Sequence, residues 1–455
     1  MSGTCYERLL NGEICGRPEM AQGKCIIHWG MNRGPQPLIE AIREYIRATS
    51  DDTINLSNMQ FDNIVFPEGL FTTRPVSFKN SRLIGCRFEH SELIDADFTK
   101  TKLEETSFID CTFIGKNALF KNATFSHTGD EPYDFIFGRC IFEEGLQLLD
   151  LSDIEWNCKQ RPFVYCAILA NEVDLSNAKI GGDHFAIAMA EGHGFHYDKM
   201  MLSAPMTVRL NGLIYHGHFE LFFWPLKTAS GPFLNFRNID FRQMLSARFI
   251  RVDLQRAHFK DSEIETVSFV NVIWPTKDGR KILFDEYEYH DSSQFRELET
   301  LYTQLKRNYE DHRNYPAASD WHYREMEARR KSIKQGGKLL TWLRQNFFSF
   351  VPLYKYFSNY GESDIRPLIW LIGIAILAPV GLLLTGISET IGDRQPDVTN
   401  YWKALTYGLG NMIFIKSEVF RAASIWSELI NIIQKLSVTL FGSLFLLALR
   451  RRFRR

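Results

Sequence analysis

A period of five in its bulky apolar residues constrains this chain more than any other feature. Phe78, Leu83, Phe88, Leu93, Phe98, Leu103, Phe108 and Phe113 recur at every fifth position. Two residues before each stands a small or β-branched partner: Val76, Ser81, Cys86, Ser91, Ala96, Thr101, Thr106 and Cys111. A second run, Phe249, Leu254, Phe259, Ile264, Phe269 and Trp274, follows Ala247, Val252, Ala257, Ser262, Val267 and Val272 in the same way. Neither an α-helix nor a flat strand keeps one face apolar at that spacing. A short extended piece followed by a bend does, because i and i−2 share a side in extended chain and the bend turns the next pair inward. Four such sides close a coil, and coils stack at about 4.8 Å.

Between Phe113 and Ala247 the period is interrupted, although Ala118/Phe120, Ala123/Phe125, Val173/Leu175 and Ala178/Ile180 keep the paired pattern. Wider coils with loops at 126–133 and 190–197 are expected there. The histidines of this middle part, His193, His196, His216 and His218, read as exposed turn residues before they read as a metal site. Residues 51–275 hold 21 Lys and Arg against 30 Asp and Glu, a net of −9, so the remainder is basic. That imbalance fits a C-terminal part lying against an anionic membrane.

The stretch SELIDADFTKTKLEETSF, residues 91–108, resembles the A-(D/N)-L-x-x unit of the pentapeptide-repeat family, most closely at Ala96-Asp97-Phe98. The resemblance implies a right-handed quadrilateral β-helix. The expected fold is therefore mainly β, with the β-helix over 51–275 and irregular coils in its middle. A helical hairpin over 276–335 and two transmembrane helices follow.

Pro367 to Ile387 is 21 residues without a charge, long enough to cross a hydrocarbon core, and Pro379 should kink it. Ile430 to Leu449 is a second span. The Arg-rich end, Arg450–Arg455, keeps its flank cytoplasmic. A two-span hairpin over 367–455 follows, in the cell inner membrane with both termini cytoplasmic. The segment between the spans lies outside or dips back into the membrane. Before the first span, residues 336–366 mix Trp342, Phe350, Tyr354, Tyr356 and Phe357 with Lys338, Arg344 and Lys355, which suits a helix on the membrane surface. In the hairpin, Leu298, Leu301, Tyr302, Leu305 and Tyr309 form one helical stripe, and Ala318, Trp321, His322 and Met326 another. The text from Leu301 to Arg330, and YGESDIRPLIW at 360–370, resemble bacterial membrane proteins that join pentapeptide repeats to two-span, ion-channel-like ends.

Thr406-Tyr407-Gly408-Leu409-Gly410-Asn411 occupies the place of a pore loop between the spans. It resembles the T-V-G-Y-G-D filter of potassium channels at Thr406, Gly408 and Gly410, and Asn411 ends the run. Filter glycines permit the alternating backbone that aims carbonyls at an ion. Tyr407 and Leu409 depart from the motif, and little chain precedes Thr406 to build a pore helix. A plain amphipathic helix is the competing reading. Two spans cannot surround a pore alone, so conduction requires a homo-oligomer.

Cys5, Cys15, Cys25 and His28 form C-x9-C-x9-C-x2-H within the first thirty residues, ahead of an amphipathic helix at 31–50. Three thiolates and an imidazole are a tetrahedral zinc set, and a segment this short would draw its folding energy from the metal. Free structural thiols are the alternative. No secretory signal is expected at 1–30, which argues for a reducing compartment and against disulfides. Cys86 and Cys111 occupy repeat positions and read as packing.

Phosphate-binding, hydrolase, zincin and kinase motifs are absent, so an enzyme is not expected. The leading function is a membrane-anchored channel-like effector or sensor, with a bacterial stress or defence role by analogy. The expected partners are membrane lipids, further copies of the chain and a protein on the β-helix surface. The alternative is a membrane-tethered interaction scaffold without conduction. A third reading follows from resemblance alone, because some family members mimic duplex DNA and occupy topoisomerases. Nucleic acid itself is not an expected partner.

Overall fold

The structure is a computed structural model that describes residues 4–17, 19, 24–127, 135–157, 161–182, 184–190, 200–203, 207–223, 232–333, 339, 342–343, 349–390, 396–415, 417 and 419–454. They form two compact units, Met1–Tyr289 and His290–Arg455.

In the first unit the five-residue period becomes short parallel strands. Arg82–Ile84, Arg87–Glu89, Glu92–Ile94, Lys102–Glu104, Ser107–Ile109 and Thr112–Ile114 each place the bulky residue of the period at their centre. Two residues beyond it the backbone turns through the left-handed region, at Asn80, His90, Asp95, Lys100, Glu105 and Asp110, and at Gly85 and Gly115. A left-handed residue costs a side chain about 1–2 kcal/mol, which is why Asn, Asp and Gly recur there. The period of five is thus three extended residues and a corner.

Register gives the coil length directly. Leu83 pairs with Leu103, Phe88 with Phe108 and Leu93 with Phe113, each four repeats on. Pairing runs through parallel ladders of nine, seven, six and five strands, and Ile54–Asn55 pairs with Val76–Ser77. The interrupted middle keeps these ladders at longer register steps: Phe113 pairs with Phe142, and Phe185 with Phe219, while most of each loop expected at 126–133 and 190–197 lies outside the described residues. At Phe249–Phe269 the four-repeat register returns.

All eight bulky residues of the first run are buried, as are their eight partners. Each phenylalanine in such a core contributes about 1.5–3 kcal/mol by burial. The rings also stack along the axis: Phe66, Phe88, Phe108, Phe137 and Phe163 form a column with centroids 4.5–5.0 Å apart. The polar partners meet a need that size alone does not express. Thr101 Oγ1 donates to the Phe78 carbonyl at 2.8 Å, Thr106 Oγ1 to Leu83 at 3.1 Å, and Cys111 Sγ to Phe88 at 3.2 Å. Each hydroxyl or thiol is satisfied by backbone of the preceding coil, so burial leaves no orphan donor.

Both ends of the coil are covered, as exposed ladder edges require. At the start, the Arg74 guanidinium donates to the Thr49 and Asp51 carbonyls at 2.9 and 2.7 Å, tying the helix Pro35–Ala48 to the first coil. At the end, a hairpin turns at Asp278-Gly279 and the short helix Asp285–Glu288 follows. Asp285, fully buried, accepts from the Phe259 N–H at 2.9 Å and lies 3.2 Å from His258 Nδ1.

The second unit opens with helices Ser292–Asp311 and Tyr315–Ser332. A capping box of Asp291 and Gln294 starts the first, and Asn314 with Pro316 starts the second. Leu298, Leu301, Tyr302, Leu305 and Tyr309 are buried, and the Trp321 ring stacks on Tyr302 at 5.9 Å. Within the stretch 336–366, where the sequence predicts one surface helix, a short helix spans Phe350–Ser358 and the next helix already begins at Ile365. Two helices are long and apolar enough to cross a membrane, Ile365–Thr385 and Ile425–Arg450. Their far ends are clasped by paired strands Ile387–Glu389 and Phe420–Ala422, and a third helix, Tyr401–Met412, packs on both.

Candidate functional sites

The N-terminal cysteines are gathered by two local structures. Residues 5–17 fold back as a hairpin, with Cys5 N–H donating to Arg17 and Cys15 N–H to Glu7, which brings both cysteines to its open end. The short helix Ile26–Met31 then places His28 one turn beyond Cys25. The four donor atoms lie within 4.8 Å of one another. Cys15 Sγ and Cys25 Sγ are 3.8 Å apart, and His28 Nδ1 is 3.2 Å from Cys5 Sγ and 3.4 Å from Cys25 Sγ. A tetrahedral ion at usual metal–sulfur and metal–nitrogen lengths needs edges of about 3.8 and 3.6 Å. The geometry therefore fits a metal ion held by Cys5, Cys15, Cys25 and His28.

Electrostatics favour a thiolate at Cys15. The Cys15 thiol is pulled down to about 3, first by the hydrogen bond from Cys25 and further by His28 and Arg17. Cys25 is pushed up by donating that bond and by burial. Arg17 was not singled out by its sequence position, yet it joins the site to the coil. One guanidinium nitrogen donates to Cys15 Sγ at 3.2 Å and the other to the Asn55 carbonyl at 2.6 Å. With Leu10 N–H donating to Asn58, the knuckle becomes the lid of the first coil.

Thr406, Gly408, Gly410 and Asn411 all lie in the helix Tyr401–Met412, which differs from the extended filter that the motif predicts. The glycines serve packing and capping. A Cβ on Gly408 would stand 3.3 Å from the Pro379 ring, and the Gly408 carbonyl accepts from Gln434 at 3.0 Å. The Gly410 carbonyl accepts from Ile415 N–H, ending the helix. Thr406 is exposed, and its hydroxyl returns to the Trp402 carbonyl at 2.9 Å. Asn411 is buried and donates to Asn431 at 2.8 Å, while Asn431 donates to the Tyr407 hydroxyl at 2.9 Å. A polar seam thus runs between this helix and the second apolar helix. Its sequence signal was Asn431 and Gln434, spaced to share a helix face at the polar end of that span.

Among the described residues, the other histidines form no metal-ligating group. His218 Nδ1 lies 2.8 Å from Ser246 Oγ and His216 Nδ1 lies 3.4 Å from the Gln243 carbonyl, whereas His193 and His196 fall outside the described residues.

The family comparison agrees with the strand architecture. Residues 76–113 match the family described as pentapeptide repeats, in eight copies, so this segment is a pentapeptide-repeat run in a mostly β, parallel-strand protein. A solved structure described as "Structure of QnrB1 (Full length), a plasmid-mediated fluoroquinolone resistance protein" is similar at 14% identity, over 47% of this chain and 90% of that one. Its TM-score is 0.18. No curated protein matches the chain.

Proposed function

We propose that this is a membrane-anchored, non-enzymatic pentapeptide-repeat protein. Its β-helix presents a binding surface in the cytoplasm, and its hairpin of apolar helices acts in the inner membrane as an oligomeric, channel-like effector or sensor. The polar seam of Asn411, Asn431 and Tyr407 carries this reading. Polar side chains at bilayer depth are costly and are kept mainly where they serve an ion path or gate. The tips of the hairpin expose Trp402, Ile413, Phe414 and Trp426, a surface suited to lipid or to neighbouring copies. In the same reading the β-helix winds right-handed with four sides, as the repeat resemblance implies. The Cys3His cluster holds zinc, which locks the lid on the first coil.

Ion flux from liposomes holding the full chain tests conduction. The expected result is flux in the native chain that Asn431→Leu abolishes without loss of incorporation. A native chain that passes no ions under applied voltage or pH change would leave only the anchor.

The helical state of the filter-like stretch favours a second reading, an interaction scaffold with passive spans. If residues 365–455 can be exchanged for an unrelated anchor with the phenotype intact, the scaffold reading prevails.

A further inference from the structure

We infer that the second unit carries a site for the phosphate diester of an anionic phospholipid, where the surface helix meets the first apolar helix. The inference rests on the membrane reading above and adds to it a specific ligand.

The site is built by packing. Phe357 on the surface helix sets its ring edge-on to Trp370 at 5.5 Å and to Phe441 at 5.1 Å, and Trp370 stacks on Phe441 at 5.7 Å. These three rings fix the surface helix to the starting end of the first apolar helix and the finishing end of the second. Phe350, Leu353 and Tyr356 remain exposed on the surface helix, as a helix lying in a lipid interface requires. Between the helices is a cleft of about 540 Å³, lined by Arg330, Lys355, Tyr356, Arg366, Ile369 and Trp370, among others. Ligand sites commonly have this size.

Charge and polarity in the cleft are divided in the way an amphiphile needs. Arg330, Lys355 and Arg366 supply three positive charges. Glu327 is drawn among them, 2.8 Å from Lys355 Nζ and 3.0 Å from Arg330. These four side chains together are net +2. Arg366 is oriented by donating to the Lys355 carbonyl at 3.0 Å and stays exposed. A guanidinium presents paired donors suited to phosphate oxygens. One turn further along, Ile369 and Trp370 form an exposed apolar wall that continues down the span. A free phosphate has no use for that wall, whereas an acyl chain below a headgroup does. Basic pockets between spans on the cytoplasmic side take such headgroups.

Native mass spectrometry of the full chain released from mixed micelles tests this, with phosphatidylglycerol, phosphatidylcholine and inorganic phosphate as separate probes. At about fivefold per net charge, phosphatidylglycerol should be retained about thirtyfold over phosphatidylcholine. Arg366→Gln should reduce that ratio to about fivefold, and Arg366→Lys should restore most of it. The native preference should also shrink with added salt, a readout independent of any variant. Equal retention of the two lipids, or an unchanged ratio in Arg366→Gln, would overturn the site. Displacement of the lipid by millimolar phosphate would overturn the lipid assignment in favour of a free-phosphate site. A chain that enters neither neutral nor anionic bilayers would overturn the membrane reading and this site with it.

Discussion

Replacing Phe108 by alanine probes the coil at its most crowded point. Phe108 is fully buried, stacked on Phe88 at 4.7 Å and on Phe137 at 5.0 Å, with Phe98 and Phe120 edge-on at 5.3 and 6.0 Å. Truncating a core phenylalanine costs about 3–5 kcal/mol, and a stacked column cannot close over the gap without shifting a whole coil. Phe108→Leu should cost only about 1–2 kcal/mol, because the repeat accepts leucine at Leu83, Leu93 and Leu103 and only ring contacts are lost. In a stacked-repeat protein the loss stays near the site. Hydrogen exchange over 86–125 should therefore accelerate by roughly a thousandfold for Phe108→Ala and by about tenfold for Phe108→Leu. The exposed-site control, Val65→Ala, should shift exchange by less than about threefold. If Phe108→Ala behaved like that control, the ring column would not be the core and the fold argument would fail.

Three other perturbations have defined outcomes. Chelation, or Cys25→Ser, should release equimolar zinc and raise hydrogen exchange at residues 5–17 and in the first coil at Ile54–Asp62; unchanged exchange there would mean that the cluster does not hold the lid. Gly115→Ala should destabilise by about 1–3 kcal/mol in thermal melts, since φ is +99° and a Cβ would stand 2.8 Å from the Asp95 carboxylate that accepts from Asn117 N–H. Glu327 is desolvated, yet Lys355, Tyr360 and Arg330 outweigh that and hold its carboxyl at about 2, below the ordinary 4.5. A depressed folded-state value adds stability that is complete above about pH 4.5 and is lost as pH falls towards 2, about 3 kcal/mol in all. Tyr360→Phe, which deletes the hydroxyl donating to Glu327 at 2.6 Å, should weaken the hairpin by about 1–3 kcal/mol and narrow that acid-dependent loss in a pH series of melts.

The repeat was legible because the five-residue spacing has few geometric solutions. Leu83, Phe88, Leu93 and their fellows were placed inside by spacing alone, and the hairpin stripe around Leu301 and Leu305 by the helical period. The hydrogen bonds of Thr101, Thr106 and Cys111 were not legible, since their acceptors lie in another coil, twenty-odd residues earlier. Arg17 was hidden for the same reason: its partners at Cys15 and Asn55 belong to two different local structures. The glycines of 406–411 pointed to a filter because spacing cannot distinguish a glycine that frees the backbone from one that admits a neighbour. Pro379 against Gly408 is the second case. The basic cleft was invisible because Arg330, Lys355 and Arg366 sit on three different helices and are joined by tertiary contacts: Glu327 between Arg330 and Lys355, Arg366 on the Lys355 carbonyl, and Phe357 against Trp370.

The most direct test is alkaline carbonate extraction of membranes from cells expressing the full chain or residues 1–364. Helices held by hydrocarbon should keep the full chain in the pellet, and the shorter chain should move to the supernatant. Full-length protein released into the supernatant would contradict the account at its root.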